Sequence, residues 1–521
     1  MSVTTARPPN IVLILTDQQR ADHVGFGGHR SVRTPALDAL ARRGRRFDRC
    51  HVANPICMPN RATILTGRMP SAHGTRTNGI PLAWDANTFV RLLRAAGYAT
   101  ALVGKAHFQN MGQPGLGDQR PVGPWDADTP RWPDGWDLWE EAGRHRSEWV
   151  ELPEDYYGFD HVELVTGHTD GASGHYVHWL REHGVDPDEV RGPATAIDRY
   201  DGWAQVYRSC LPPELYHTSY VAERACAQLD RFARTDQPFM LQVSFPDPHH
   251  PFGPPGEYYD RHHPSSVVLP ESWDDDLAGA APHLRAIAAS VGVQAFPVQP
   301  FRPTEDQFRH AVAAELGMIE LIDDAVASVL ATLDSLGLTE DTLVIFTSDH
   351  GDVMGDHGLL LKGSMHFEGC TRVPLVIAGP NVQPGSTSEL ASTLDLAPTI
   401  LEECGITAPT WMQGHPLRPL LDDSGPPPRD AVLVEEDQPF DFYGTGHGIR
   451  MRTIITADAR LTLYEGTDVV ELYDLVDDPH ELHNLAASDA ARPSRGELLE
   501  RLARAMTEHD DRAPRPLRYT A

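Results

Sequence analysis

The sequence predicts an α/β protein: a large mixed, mostly parallel sheet flanked by helices, with a smaller C-terminal α+β subdomain containing an antiparallel sheet. Three observations carry this. Short β-rich apolar runs alternate with segments of helical periodicity over most of the chain. Several of those runs lead straight into polar residues able to do chemistry. Past a Ser-Gly-Pro-Pro-Pro stretch at 424–428 the alternation gives way to short consecutive strands and a final helix. With 521 residues, 40% hydrophobic and 23% charged, the chain can bury such a core.

The run 11–15 is continuously apolar, as suits a strand buried on both faces. Thr34 and Pro35 open a helix as N-cap and first-turn proline, and Gly44 closes it. A second helix reads from 88 to 96, ended by Gly97, with a strand at 98–103 after it. Further strands are predicted at 239–245, 342–346 and 373–378, and helical periodicity over 315–336 runs into the strand that starts at Thr342. Such alternation builds a mostly parallel sheet.

Two stretches interrupt it and read as insertions, about 112–213 and 254–303. The first gathers Trp125, Trp132, Trp136, Trp139 and Trp149, and the second is rich in proline. Long loops of this kind commonly carry function. The tryptophans either fill a satellite core or stack a sugar or aromatic ring. After the 424–428 linker, strands are predicted at 452–456, 460–464 and 469–473, with a turn at Glu465-Gly466 and a final helix at 494–509. The expected division is a catalytic domain at 1–428 and a subdomain at 429–521.

Lys and Arg total 44 against 74 Asp and Glu, a formal charge of −30. That field disfavours nucleic acid and anionic membrane, and an anionic substrate needs a local basic pocket set against it. The first ten residues lack a basic segment followed by an apolar run, and the apolar runs are too short to span a bilayer. The six cysteines are scattered without metal or disulfide spacing. A cytoplasmic location is expected, and a homo-oligomer is left open.

In open α/β sheets ligands bind beyond the carboxyl ends of the strands. There this chain has Asp17-Gln18, then Lys105 and His107, then Asp247, His249 and His250, then Asp349-His350. Asp17, Asp349 and His350 are candidate ligands for a divalent ion; carboxylates suit Ca²⁺, Mg²⁺ or Mn²⁺, and the imidazole shifts the preference toward Mn²⁺. Spacing alone equally allows both aspartates to cap helices or turns. In Cys57-Met58-Pro59-Asn60-Arg61 the proline fits a first helical turn and Gly67 its end, which puts residue 57 at a helix N-terminus that favours an anion. The local pattern leaves open whether Cys57 is an activated thiolate or a buried structural cysteine.

Cys57-Met58-Pro59-Asn60-Arg61, continuing into Thr66-Gly67-Arg68, resembles the C-x-P-x-R motif of the type I, formylglycine-dependent sulfatases of the alkaline phosphatase superfamily. Supporting segments follow in family order: residues 9–17, Gly104-Lys105-Ala106-His107, Ser244 to Phe252, Thr347 to Gly351, Gly355 to Gly358 with Lys362-Gly363, and Glu471 to Leu475 with Asp478-Pro479 and Asn484-Leu485. The resemblance implies hydrolysis of a small-molecule sulfate ester, and a maturation enzyme that oxidises Cys57 to formylglycine, whose hydrate is the nucleophile. It implies one divalent metal held by Asp17, Gln18, residue 57, Asp349 and His350. By the same carry-over Arg61 and His107 orient residue 57, Lys105 and Lys362 hold sulfate oxygens, and His249 is the general acid. His250 reads as a structural neighbour.

Three departures matter. Gln18 stands where many sulfatases have a second aspartate, His350 where many have asparagine, and Asn60 where a small residue is usual. The first two resemble choline sulfatases and phosphonate monoester hydrolases, so the metal is Ca²⁺ or Mn²⁺ on this reading, with Mg²⁺ less suited. The rival activity is a formylglycine-dependent phosphonate monoester or phosphodiester hydrolase, against which Lys105 and His107 favour sulfate. A non-catalytic anion-binding homologue is the reading from another class. Specificity is expected from the two insertions and from 437–452.

Overall fold

The computed structural model describes residues 8–112 and 135–511, so Trp125 and Trp132 lie outside the described residues. The strands are β1 (Asn10–Thr16), β2 (Arg45–His51), β3 (Ala99–Gly104), β4 (His161–Thr166), β5 (Ser173–Gly174), β6 (Asp198–Arg199) and β7 (Tyr207–Arg208). There follow β8 (Phe239–Ser244), β9 (Thr342–Ser348), β10 (Arg372–Ala378), β11 (Gly385–Ser392), β12 (Ala431–Gln438), β13 (Ile449–Thr456), β14 (Ala459–Tyr464) and β15 (Val470–Asp474). Nine form one sheet in the order β11-β2-β10-β9-β1-β8-β3-β4-β5. The pairs among β9, β1, β8, β3 and β4 are parallel, as is β11 with β2, whereas β10 runs antiparallel to both its neighbours. The sheet is mixed and mostly parallel, as predicted.

All seven residues of β1 are buried. Ile11, Leu13 and Leu15 face a core with Ala62, Leu65, Phe89, Leu396 and Ile400 from three helices, while Val12 and Ile14 face Leu37, Tyr220, Ile322 and Val326 from three others. A strand covered on both faces must be apolar throughout, which is why this run could be read directly.

The long helix begins at Glu305, ten residues before the predicted start, and ends at Ser335. Thr304 caps it in a reciprocal box with Gln307, a signal present in the sequence. The 112–213 stretch is not wholly an insertion, because β4 adds to the main sheet beside β3. Trp139 packs edge-on against Trp84 at 4.7 Å and Tyr156 at 6.2 Å, on the same core that Ile11, Leu13 and Leu15 face, so it extends the main core rather than forming a satellite. Trp149 is 61% exposed.

In the C-terminal part β12, β13, β14 and β15 form a four-stranded antiparallel sheet in that order. The helix Arg492–Glu508 lays Leu498 and Leu502 against Leu433, Ile454, Leu461 and Leu472. Among the described residues no helix is long and apolar enough to cross a membrane.

Candidate active site

The adjacent strands β9, β1, β8, β3 and β4 end at one edge of the sheet. Asp349, Asp17, Asp247, Lys105 and His168 follow those ends in turn. Backbone bonds fix the edge: Asp17 N–H donates to the Asp247 carbonyl at 3.1 Å and Asp349 N–H to that of Thr16 at 3.1 Å. Gly104 permits close approach of β3 and β8, since a Cβ there would sit 1.9 Å from the Ser244 carbonyl oxygen.

The helix Cys57–Thr66 has every residue buried and starts at the predicted residue. Gly67, at φ +65°, turns its end and donates its N–H to Thr63 O. Asn78 Oδ1 accepts from Met58 N–H at 3.1 Å, satisfying one free donor beside residue 57. Burial, and then the Asp17 charge, push the Cys57 thiol up to about 11. Burial thus favours the thiol over an activated thiolate at this residue. Asn60 is fully buried and its amide is taken up by neighbouring backbone and Thr393. Its Nδ2 donates to Asp349 O at 2.5 Å, and its Oδ1 accepts from Ala53 N–H and Thr393 Oγ1.

Asp17, Cys57, Asp349 and His350 each bring a ligand atom within 4.8 Å of the others. His350 Nδ1–H donates to the Gly351 carbonyl at 2.9 Å, so Nε2 is left facing Cys57 Sγ at 3.1 Å, Asp17 at 3.6 Å and Asp349 at 3.5 Å. Burial, the largest influence, lowers His350 to about 4, so the ring is neutral and Nε2 presents a lone pair. A bare imidazole nitrogen aimed at two carboxylates, its other nitrogen fixed by a carbonyl, is the donor set a divalent cation fits. Arg61 steadies both carboxylates: Nε donates to Asp349 at 2.6 Å and an Nη to Asp17 at 3.1 Å, with further bonds to Lys105 O and Ser244 Oγ. Burial alone would raise Asp17, but Lys105 and Arg61 hold it well below the usual carboxylate range.

Lys105 Nζ donates to Asp17 and, at 2.7 Å, to His168 Nε2. His168 was not anticipated. It stacks on His249 with ring centroids 3.7 Å apart and 7° between planes. Its signal was a Gly-His pair after the alternating run 161–166, inside a stretch read as an insertion. Asp17, His168 and His249 also come within 4.8 Å of one another, and there the Lys105 ammonium is the cation.

His249 Nδ1–H donates to His250 O at 2.5 Å, and burial, followed by His168 and Lys362, lowers its pKa well below the ordinary value. His107 sits at φ +55° with its ring Nδ1 lacking a partner among the described residues. Its backbone is held by Glu140, a residue the sequence reading passed over, which accepts from the N–H groups of His107, Phe108 and Gln109.

Gln18 sits beside the cluster. Its Oε1 accepts from Lys362 Nζ and its Nε2 donates to Asp352 at 2.8 Å. The segment after Lys362 is tied to the C-terminal sheet, where Glu436 accepts from Ser364 N–H at 2.6 Å. His250 Nδ1 meets Gln18 Nε2 at 3.2 Å, consistent with a structural neighbour.

The family described as Sulfatase matches residues 9–406, and one described as N-sulphoglucosamine sulphohydrolase, C-terminal, matches 355–508. The uncharacterized sulfatase YidJ of Escherichia coli (strain K12) is 29% identical over 484 residues, 92% of this chain and 83% of that protein. The choline-sulfatase of Rhizobium meliloti (strain 1021) is 29% identical over 497 residues, again 92% and 83%. The crystal structure of a phosphonate monoester hydrolase from Agrobacterium radiobacter is 26% identical, with TM-score 0.77 over 97% of each chain.

Proposed function

The chain belongs to the sulfatase family, and on that premise we propose that it cleaves a small-molecule sulfate ester to an alcohol and inorganic sulfate at the Cys57 centre. The observation that carries this is one buried group of side chains in which a cluster able to hold a cation meets two lysine ammonium groups, Lys105 on Asp17 and Lys362 on the adjoining Gln18.

Asp17, residue 57, Asp349 and His350 would hold one divalent ion, Ca²⁺ or Mn²⁺ before Mg²⁺, which offsets sulfate charge and lowers an oxygen pKa. Gln18, with its amide oxygen turned to Lys362, borders that set. In this proposal a maturation enzyme converts Cys57 to formylglycine, whose hydrate supplies the nucleophilic oxygen.

The chain's own residues do the rest. Lys105 and Lys362 bind sulfate oxygens and supply local positive charge against the chain's net charge of −30. Arg61 keeps Asp17 and Asp349 ionised and in place. His107 orients residue 57. His249, its Nδ1–H fixed on a carbonyl, turns Nε2 to the leaving oxygen. Burial, followed by the charges of His168 and Lys362, keeps this imidazole neutral in the free site, and an anion on the two lysines offsets the lysine part of that effect.

Phosphonate monoester hydrolysis is the second reading, favoured by the Agrobacterium likeness and by the Gln18 and His350 departures. Turnover of an aryl sulfate and of a phenylphosphonate ester on one preparation separates the two. A large preference for sulfate is expected, and the reverse overturns the choice. Mass analysis of the tryptic peptide 50–61 tests the nucleophile: residue 57 should have lost its sulfur while Cys50 remains a cysteine.

A further inference from the structure

We propose that Asp352 is a positioning residue of the anion pocket, holding Lys362 in place through the side-chain amide of Gln18. The inference rests on the sulfate-binding reading of this pocket and adds a residue that none of the matched motifs gives a role.

Asp352 is fully buried, four residues beyond the end of β9. Its Oδ1 accepts from Met354 N–H at 2.7 Å and Leu361 N–H at 3.0 Å, and its Oδ2 accepts from Gln18 Nε2 at 2.8 Å. One carboxylate thus fixes the residue before Lys362 and the side chain that Lys362 contacts. Gln18, Met354 and Leu361 all have positive φ, at 67°, 36° and 71°. Such residues enter that region at a cost, so bonds that hold them there are needed. Arg20 secures the turn from behind, donating to the carbonyls of Asp352 at 3.0 Å and Val353 at 2.6 Å.

The amide has only one orientation that satisfies its neighbours. The Asp352 carboxylate takes a hydrogen from Nε2, which also lies against His250 Nδ1, and the Lys362 ammonium donates to Oε1, so each end of the amide faces the partner it can bond. Reversing the amide would set an N–H against that ammonium. The carboxylate of Asp352 therefore decides which end of Gln18 the lysine meets.

The test is a reciprocal exchange. In Asp352→Asn the two backbone N–H groups retain the amide oxygen, so the new Nδ2 turns to Gln18 and donor meets donor. The Gln18 amide then rotates and presents Nε2 to Lys362. Inorganic sulfate, titrated calorimetrically into metal-loaded protein, should bind about 10- to 100-fold more weakly, the range for a hydrogen bond to a charged group. KM for an aryl sulfate should rise alongside, with metal content and thermal midpoint close to wild type. Adding Gln18→Glu to that variant supplies a carboxylate that accepts both from the introduced amide at position 352 and from Lys362. The double variant should return sulfate affinity to within about threefold. Gln18→Glu alone opposes two carboxylates and should weaken binding.

Unchanged sulfate affinity in Asp352→Asn overturns the proposal, as does a lowered thermal midpoint with affinity intact, loss of metal together with affinity, or failure of the double variant to recover. Wild-type protein that binds sulfate but turns over no sulfate ester overturns the proposed function and, if the exchange behaves as described, supports the relay. Wild-type protein that binds no sulfate overturns the relay itself.

Discussion

Removing Glu140 should release the loop that carries His107. Its carboxylate accepts from the N–H groups of His107 at 2.6 Å, Phe108 at 2.8 Å and Gln109 at 2.9 Å, and from Tyr156 O–H at 2.6 Å. Glu140→Ala strands four buried donors at about 1–3 kcal/mol each, and water entering the vacated space recovers part, leaving about 4–6 kcal/mol. Glu140→Gln keeps Oε1 for three of the donors and turns Nε2 to the His107 N–H, a single mismatch costing about 1–3 kcal/mol. Urea denaturation at pH 7 measures both differences, and kcat should fall in the same order because His107 is released from φ +55°. The pH profile gives a second check. Burial, the largest influence, outweighs the four hydrogen bonds and raises Glu140 to about 6 from an ordinary 4.5. A carboxyl raised in the folded state contributes stability that is fully present below pH 4.5 and lost as pH rises through about 6, here about 2 kcal/mol. The Gln variant should lack that slope. A loss under about 1 kcal/mol in Glu140→Ala would refute the reasoning.

Three further outcomes are expected. His168→Ala removes an acceptor from Lys105 and a stacked ring from His249, so kcat should fall about 10- to 100-fold with little change in thermal midpoint; unchanged kcat would deny His168 any part. Asn60→Ala loses the bonds to Asp349 O, Ala53 N–H and Thr393 Oγ1, and denaturation should show a loss of about 2–4 kcal/mol. Chelation should abolish turnover and lower stability by about 3 kcal/mol for metal present at a hundredfold its Kd, with Mn²⁺ or Ca²⁺ restoring both, because Asp17, Asp349 and His350 are otherwise left facing one another; an unchanged thermal midpoint counts against a cation at the cluster.

The elements readable in advance are those whose residues answer to a local rule. β1, β8 and β9 are apolar because both faces are covered, and polar residues beyond their ends mark the site edge. β2, with the sequence Arg-Arg-Phe-Asp-Arg-Cys-His, carries no such pattern; it is a strand because β10 and β11 pair with it on either side. The polar strand β11, five of whose residues are at least partly exposed, is likewise set by its pairing, with β2 on one side at the edge of the sheet. In the pocket, Asp17, Cys57, Asp349 and His350 were legible from motif resemblance and from their places at element ends. His168 was not, since its meaning lies in Lys105, 63 residues away, and no rule of spacing links them. Asp352 stood in plain sight three residues after Asp349, but its function depends on an amide orientation that only the folded arrangement reveals.

The burial of Cys57 also sets a schedule for biosynthesis. Its sulfur is enclosed by His350, 293 residues further along the chain, and only 2% of the residue is exposed. At about 5–20 residues added per second, the ribosome needs on the order of 15 to 60 s to make that distant wall. Until then residue 57 has no lid of native structure over it, and afterwards a protein-sized reagent cannot reach it without unfolding the domain. Any enzyme that alters this side chain is therefore racing the folding of the domain.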